Sequence, residues 1–479
     1  MMRVIAEIDL SNYFVKGKPW LYETVKSLQK AAFEDDERII FRLDVSDIFD
    51  YSSDKGEIET YLDQVLFDFD IPEYFVIKSF TQKKQIKKYE NTLCAFPWMH
   101  LYVSPASGTI KPCCSSNDTK DSIIKYPTLN SAINSDSMRQ VRLDMINGYR
   151  PEVCKNCFQR EDNGFTSDRI KANQRWRDVD FSLDTDGSII PNYRFFDIRL
   201  NNICNFKCTT CSHEFSSSIE QESKKIWNLD FPNVKVTQRH AYDNFYKSVF
   251  DNIQSIEKFY FAGGEPLLME EHYKILDKLM DTSRTDVELD YNTNMSNIYY
   301  KKTPITDYWN KFKNVKVGMS LDGMGAQSEY IRNGSDWHLI LENIKTIKSR
   351  SPHVHLFVSS TYSIYNCFHL IDFQKYMIEN NIISAADLTM HYAHGDLNTV
   401  HLLPIKLKIK LKEKIKQHID WLDDNTLRSK WLECLIYIDQ DDKSYLIDKF
   451  LSHVKVLDSA RKVNLLILFP ELSDLKNHG

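Results

Sequence analysis

The sequence predicts an α/β protein built around a parallel sheet with covering helices. Three observations carry this expectation. From Tyr193 onward, segments of strand character alternate with segments of helical periodicity. The polar motifs of this region each follow a strand directly, at the ends where parallel sheets collect ligands. After Pro404 the alternation stops and the chain turns helical and lysine-rich, with Ile, Leu and Trp interleaved.

The first unit begins with a strand at 195–200 (FFDIRL), followed by a cysteine loop and a helix running to Trp227. A strand at 256–261 leads into a helix at 267–280. Strands at 287–291 and 315–321 follow, then a helix at 337–349, a strand at 354–360, a helix at 365–378 and a last strand at 386–391. This alternation occupies residues 191–403, and 404–479 form a helical region of packing faces and solvated charge. Upstream, residues 1–88 read as a small α/β domain without a chemical motif. Residues 38–45 (RIIFRLDV) and 73–79 (EYFVIKS) have strand character, while Ile58, Leu62, Val65, Leu66 and Phe69 have helical spacing over 57–69. Lys83, Lys84, Lys87 and Lys88 form a charged connector. Residues 89–190 are cysteine-rich and loop-rich, with a helix at 135–147 closed by Gly148.

A hydrophobic fraction of 42% supports a sizeable core, and a charged fraction of 27% argues for a soluble protein. No apolar run reaches the length of a membrane span, since even 463–470 (VNLLILFP) is only strand-sized. The start MMRVIAEIDL lacks an apolar signal region, so a cytoplasmic enzyme is expected. A formal net charge of −6 gives no electrostatic case for nucleic acid.

Of ten cysteines, eight fall between residues 94 and 211, and only Cys367 and Cys434 lie beyond, in helical patterns as core residues. Without a secretion signal, such clustering reads as metal ligation rather than a disulfide framework. Cys204-Asn-Phe-Lys-Cys208-Thr-Thr-Cys211 is a CxxxCxxC loop directly after the strand FFDIRL. Three thiolates on one short loop hold three corners of a cubane iron–sulfur cluster. Closed zinc sites take four protein ligands, and no fourth cysteine is near. The fourth iron would then be open to a small molecule. His213 is the local competitor as a fourth ligand and keeps zinc as the alternative.

This loop resembles the signature of the radical SAM superfamily, and the following strands supply segments similar to the rest of that family's site. Residues 259–266 (FYFAGGEP) resemble the GGEP motif, which in the family binds the methionine amino group of S-adenosylmethionine (SAM). Glycines let the backbone approach a ligand closely, and a carbonyl or carboxylate receives an ammonium. The resemblance thus implies Gly263, Gly264 and Glu265 as cofactor-binding residues. Asn292-Thr-Asn294 and Ser320-Leu-Asp322-Gly323 are similar to segments that contact the ribose and carboxylate, implying Asn294 and Ser320. Ser360, with Thr361, ends the next strand and is implied to line the adenine site. Ordinary turn chemistry is the alternative for these short polar residues. Many members carry an aromatic residue before the last loop cysteine. Here Thr210 stands there, with Phe206 the nearest compensation.

The resemblance covers residues 193 to about 395 and implies a partial (β/α)6 TIM-like barrel. It also implies the reaction. A [4Fe–4S] cluster on Cys204, Cys208 and Cys211 chelates the amino and carboxylate groups of SAM, and one electron cleaves the sulfonium. The resulting 5′-deoxyadenosyl radical abstracts a hydrogen from the substrate, while the protein positions the cofactor and excludes water.

A second cysteine set lies upstream. Cys94 is followed by Gly108 and, after four further residues, by Cys113; Cys154-Lys-Asn-Cys157 comes later. The first half resembles the opening element of the SPASM and twitch auxiliary-cluster domains, with Phe96-Pro-Trp98 and a hairpin before Pro112-Cys113-Cys114. The resemblance implies one auxiliary [4Fe–4S] cluster on Cys94, Cys113, Cys154 and Cys157, as in the smaller twitch form. Cys114 is the alternative to Cys113, and a four-cysteine zinc ribbon is the alternative to the cluster. In the better-known maturases this domain follows the barrel, whereas here it precedes it.

The leading expectation is a radical SAM enzyme acting on a peptide or protein side chain, served by a one-electron donor such as flavodoxin or ferredoxin. A small metabolite, such as a sugar or nucleotide derivative, is the alternative substrate, and a non-catalytic zinc or iron–sulfur module is the alternative class. Asp322, His391, His394 and Asp396 lie near strand ends, and none is assigned a catalytic role.

Overall fold

Strand formation in this chain follows a period-two pattern that separates an apolar face from a polar one. The structure, a computed structural model, describes residues 3–9, 38–44, 76–77, 91–104, 107–199, 201–229, 243, 247–393, 395–422 and 425–477. The helix expected at 57–69, the lysine connector and His394 lie outside the described residues. Strands β1 (Arg3–Asp9), β2 (Arg38–Asp44) and β3 (Val76–Ile77) pair in parallel in that order. Strands β4 (Tyr102–Val103) and β5 (Ile110–Lys111) form an antiparallel hairpin, as expected before Cys113.

The principal sheet comprises β6 (Phe195–Ile198), β7 (Lys258–Phe261) and β8 (Glu288–Thr293). After a small hairpin of β9 (Tyr299–Tyr300) and β10 (Thr303–Pro304), it continues with β11 (Val315–Met319), β12 (His355–Tyr362) and β13 (Leu388–Tyr392). Its six strands run parallel in chain order and curl into a half-barrel, the partial TIM barrel expected.

Phe259, Phe261, Leu289, Tyr291, Val317, Met319 and Val358 are buried on the helix-covered face. The helix Glu270–Asp281 sets Ile275, Leu276 and Leu279 into this core, Trp337–Arg350 adds Ile340, Ile344 and Ile347, and His369–Glu379 adds Leu370, Phe373 and Met377. Each such side chain contributes about 1.5–3 kcal/mol of burial free energy. The alternating positions Asp197, Lys258, Tyr260, Glu288, Asp290, Asn292, Lys316 and His391 share the opposite face. Parallel sheets ordinarily bury apolar residues on both faces, so a polar second face needs polar partners of its own. Lys258 pairs with Glu288 at 3.0 Å and with Asp290, and Lys316 reaches Glu288 at 3.3 Å.

The cysteine-rich unit bridges both sides of this sheet. Ala95, Met99, Ala172 and Trp176 pack on Phe195 of β6, and Arg175 pairs with Glu288 at 3.0 Å. His100 Nδ1 lies 3.0 Å from the Phe195 carbonyl, and the Arg194 N–H donates to the Met99 carbonyl at 3.2 Å. The sheet edge at β6 is thereby covered rather than left open to strand pairing. On the far side, Arg160 pairs with Glu433 of the helix Asn425–Ile438, whose Cys434 lies 3.8 Å from Met390 of β13.

Most expected elements appear with shifted bounds. The helix expected at 135–147 is Asp136–Ile146, with Gly148 left-handed at φ 81° after it. The helix expected at 267–280 is split into a 3-10 turn, Pro266–Leu268, and the helix Glu270–Asp281, because Met269 is extended. The helix expected from Tyr365 starts at His369, because Asn366 ties a turn: its Oδ1 accepts from the Ser363 N–H at 2.8 Å, and its Nδ2 donates to the Asp322 and Thr361 carbonyls. Cys367 is buried as expected, but in that turn rather than a helix. Residues 465–468 form a helical turn. Among the described residues, no helix is long and apolar enough to cross a membrane.

Candidate active site

The cysteine loop leaves β6 and enters the helix Ser217–Trp227, and its backbone is fixed from several sides. Ser216 caps that helix by accepting from the Ile219 N–H, and its Oγ donates to the Phe206 carbonyl at 2.7 Å. Ser218 Oγ donates to the Cys204 carbonyl at 2.7 Å. The Lys207 and Thr209 N–H groups donate to the carbonyls of Asn333 and Ile331, each at 2.8 Å. Arg461 reaches the Lys207 carbonyl at 2.8 Å and is held by Glu222 at 2.6 Å, so the last long helix also braces the loop. Phe206 is fully buried.

The Gly-Gly-Glu-Pro turn locks onto the stem of this loop. The Gly264 N–H donates to the Asn201 carbonyl at 3.2 Å, and the Glu265 N–H to the Ile203 carbonyl at 2.7 Å. A Cβ at Gly264 would lie 2.7 Å from the Ile203 carbonyl carbon and closer still to its oxygen, so only glycine permits the contact. Gly263 is left-handed at φ 110°. Glu265 is buried and accepts from Thr293 Oγ1 at 2.7 Å, the Asn294 N–H at 2.7 Å and the Leu267 N–H at 3.1 Å. Burial pushes its carboxyl up to about 7 against these donors, which favour the anion. Asn294 Nδ2 donates to Asn205 Oδ1 at 2.9 Å, tying the end of β8 to the cysteine loop.

The three loop thiols act on one another electrostatically. Burial raises the Cys204 thiol, and it pushes Cys208 up to about 12 and Cys211 to about 11. Arg332 opposes the rise at all three, with its Nη1 3.9 Å from Cys208 Sγ and its Nε 2.9 Å from Asp322 Oδ2. Burial works against the Arg332 charge, and Asp322 with the thiols more than offsets it, so its pKa lies above the ordinary arginine value.

The remaining candidate residues divide. Ser320 is half-buried, and its N–H donates to the Thr293 carbonyl at 2.8 Å. Ser360 is fully buried, and its Oγ donates to Asp322 Oδ1 at 3.1 Å, so its hydroxyl supports Asp322. Asp396 pairs with Lys443 at 2.8 Å, and His391 is exposed on the polar sheet face. Arg332, Asn205 and Thr293 also contact these groups; Asn205 and Thr293 lie inside the cysteine loop and the Asn292–Asn294 segment, whereas Arg332 lies outside every motif.

Upstream, Cys94, Cys113, Cys154 and Cys157 line one pocket with Phe96, Pro112, Met145 and Arg169, while Cys114 is exposed and outside its lining. Gly108, left-handed at φ 68°, turns the hairpin that delivers Cys113. Burial raises all four thiols, Cys154 to about 12, and Cys113 is raised further by Cys114 and then by the other three. Such thiols stay protonated until a metal displaces the protons. Arg169 donates to the Leu93 carbonyl at 2.7 Å and pairs with Glu161 at 2.5 Å.

Among the described residues, no three His, Cys, Asp or Glu side chains converge as ligands of a single metal ion. A cubane cluster asks for a different arrangement, because each thiolate binds its own iron and the thiolates ring a volume. Three thiols on one braced loop and four lining one pocket fit that donor set.

No protein-family model matches the chain, and no curated protein matches it. Solved structures do match. The chain is similar to radical SAM enzymes. Native anSMEcpe with bound AdoMet and a Cp18Cys peptide matches at 19% identity and a TM-score of 0.32, over 48% of this chain and 59% of that one. Streptococcus suis SuiB bound to S-adenosylmethionine matches at 13% identity and a TM-score of 0.29, over 67% of each chain. TYW1 with a lysine–pyruvate adduct matches at 13% identity and a TM-score of 0.25, over 48% of this chain and 74% of that one. The chain thus spans about three-fifths of the anSMEcpe length.

Proposed function

We propose that this protein is a radical SAM enzyme that modifies a peptide or protein side chain. The observation that carries the reading is the lock between two motifs. The loop bearing Cys204, Cys208 and Cys211 is hydrogen-bonded to the Gly264–Glu265 turn, with both at the C-terminal ends of adjacent parallel strands. That is where a parallel sheet presents ligands. In this reading the three cysteines hold a [4Fe–4S] cluster, and Gly263, Gly264, Glu265, Asn294, Ser320 and Ser360 bind SAM, with the Ser360 hydroxyl also donating to Asp322. When bound, the cluster and SAM supply one-electron cleavage to a 5′-deoxyadenosyl radical.

The chain's own residues then bind, orient and shield. The Gly264 approach lets backbone carbonyls face an ammonium. Glu265 fixes the end of β8 and sets Asn294 beside the loop. The polar sheet face from Asp197 to His391 offers groups to the substrate. Cys94, Cys113, Cys154 and Cys157 hold an auxiliary [4Fe–4S] cluster in a domain spanning 89–190, between a small α/β domain (1–88) and the barrel (191–403). A one-electron donor such as flavodoxin or ferredoxin serves the enzyme in the cytoplasm. The peptide reading draws support from SuiB, solved bound to the precursor peptide SuiA, which matches at 12% identity and a TM-score of 0.29.

The test is anaerobic reconstitution with SAM and a reductant. The wild type is expected to carry about eight irons per chain and to form 5′-deoxyadenosine. The triple variant Cys204→Ala, Cys208→Ala, Cys211→Ala should lose about half the iron and all of that product. Product from the triple variant would end the reading. About four irons with stoichiometric zinc would place zinc upstream instead.

A further inference from the structure

This inference deepens the proposed function and rests on Cys204, Cys208 and Cys211 being cluster ligands. Arg332 follows the short helix Gly325–Ile331 and is nearly buried, with 11% of its side chain exposed. Its Nη1 faces Cys208 Sγ at 3.9 Å, and its Nε lies 2.9 Å from Asp322 Oδ2. Asp322 is fully buried, and its Oδ1 accepts from Ser360 Oγ at 3.1 Å and the Thr361 N–H at 2.7 Å. Its carbonyl accepts from Asn366 Nδ2 at 3.1 Å. The backbone on both sides of Arg332 is bonded to the cysteine loop, Ile331 to Thr209 and Asn333 to Lys207. Gly334, left-handed at φ 102°, keeps this segment close, since a Cβ there would sit 3.2 Å from the Asn205 carbonyl oxygen. Arg332 is therefore held through the backbone on either side of it and through its Nη1 at Cys208, while its contact with Asp322 is an ion pair without hydrogen-bond geometry.

We infer that Arg332, anchored by Asp322, is a positioning residue that sets the reduction potential of the cluster on Cys208. Reduction adds negative charge to the cluster. A fixed cation and an N–H group directed at a ligand sulfur stabilise that reduced state, more so where water is excluded. Asp322 has two effects: it holds the guanidinium in place, and its own negative charge opposes part of that stabilisation. Because the backbone bonds of Ile331 and Asn333 keep Arg332 beside Cys208 without the Asp322 charge, loss of the cation and loss of the anion then move the potential in opposite directions. A residue that merely braced the loop would give no such sign reversal.

The experiment is an EPR-monitored redox titration of the full-length, anaerobically reconstituted protein. The cluster at this site is recognised by the change in its signal on adding SAM, which separates it from the upstream cluster. Iron is quantified in every sample. Arg332→Gln is expected to shift the potential to more negative values and to slow SAM cleavage. Arg332→Lys should restore most of the potential, and Asp322→Asn should shift it to more positive values. Shifts of the same sign, or unshifted potentials in variants with wild-type iron, overturn the inference. If Arg332→Gln fails to hold the cluster, Arg332→Lys and Asp322→Asn decide: an unshifted or more negative potential in Asp322→Asn overturns it. A wild type with no SAM-responsive signal sinks the functional reading itself, and the inference with it.

Discussion

At the residue scale, two positions show how tightly the barrel is specified. Gly264 has no room for a methyl group against the Ile203 carbonyl. Gly264→Ala must push the Gly-Gly-Glu-Pro turn off the cysteine loop and break the Glu265-to-Ile203 hydrogen bond. SAM binding, followed by equilibrium dialysis of the anaerobic protein, is expected to weaken at least tenfold while the upstream cluster is retained; wild-type affinity would contradict this account of the turn. His272 lies on the other face of the sheet, buried against Phe261 and Tyr291, with its Nε2 3.0 Å from the Tyr291 hydroxyl. Burial lowers its pKa to about 3 from 6.5. The unfolded chain therefore binds a proton below pH 6.5 that the folded chain refuses. The stability associated with this group is complete above pH 6.5 and is lost as the pH falls toward 3. His272→Phe should flatten the fall in denaturation midpoint between pH 6.5 and 4, and an unchanged slope would show that this imidazole is not held neutral.

At the scale of elements, the cysteine-rich unit is organised in part by a fully buried cation. Arg142, on the helix Asp136–Ile146, donates to the carbonyls of Gly187, Pro97 and Ile133 and to Asn134 Oδ1, at 2.8–3.0 Å. Burial lowers its pKa to about 9. Arg142→Met takes the side-chain donor from the Gly187, Pro97 and Ile133 carbonyls, at about 1–3 kcal/mol each where no water enters, while Asn134 Oδ1 keeps the Ile189 N–H. A loss of about 3 kcal/mol or more is expected by urea denaturation, with iron lost first from the upstream pocket that Cys94 lines three residues from Pro97. A variant as stable as the wild type would refute the role. Legibility in the sequence follows the range of the interaction. Strands such as Val315–Met319 and the helix ending at Trp227 were readable because periodicity and caps are local. The CxxxCxxC loop and the Gly-Gly-Glu-Pro turn were readable because their chemistry is contained in a few consecutive residues. Arg332 and Arg142 were not, since a lone arginine reads as a solvated charge until a contact far along the chain desolvates it. The helix Asp168–Arg175 escaped for a related reason, its mean composition being highly polar while Ala172 is buried on its inner side and Trp176 just beyond its end.

At the scale of the whole molecule, the order of units along the chain matters less than where they pack. The cysteine-rich unit precedes the barrel, yet it covers the β6 edge and reaches the helix beside β13. The seam at β6 centres on Trp176, stacked on Phe195 at 5.5 Å between ring centres and enclosed by Ala95, Met99 and Ala172. Truncating such a residue costs about 3–5 kcal/mol in transfer and cavity terms. Trp176→Ala should therefore do more than lower stability. It separates two bodies that otherwise unfold together, and it uncovers a strand edge able to pair with other chains. The wild type is expected to unfold in one calorimetric transition that coincides with loss of the visible iron–sulfur absorbance. In Trp176→Ala the absorbance of the upstream cluster should be lost at a lower temperature than the helical signal of the barrel, with aggregation dependent on protein concentration. Coincident transitions in the variant would show that the contact between Arg160 and Glu433, on the opposite side of the sheet, is enough to keep the two bodies cooperative.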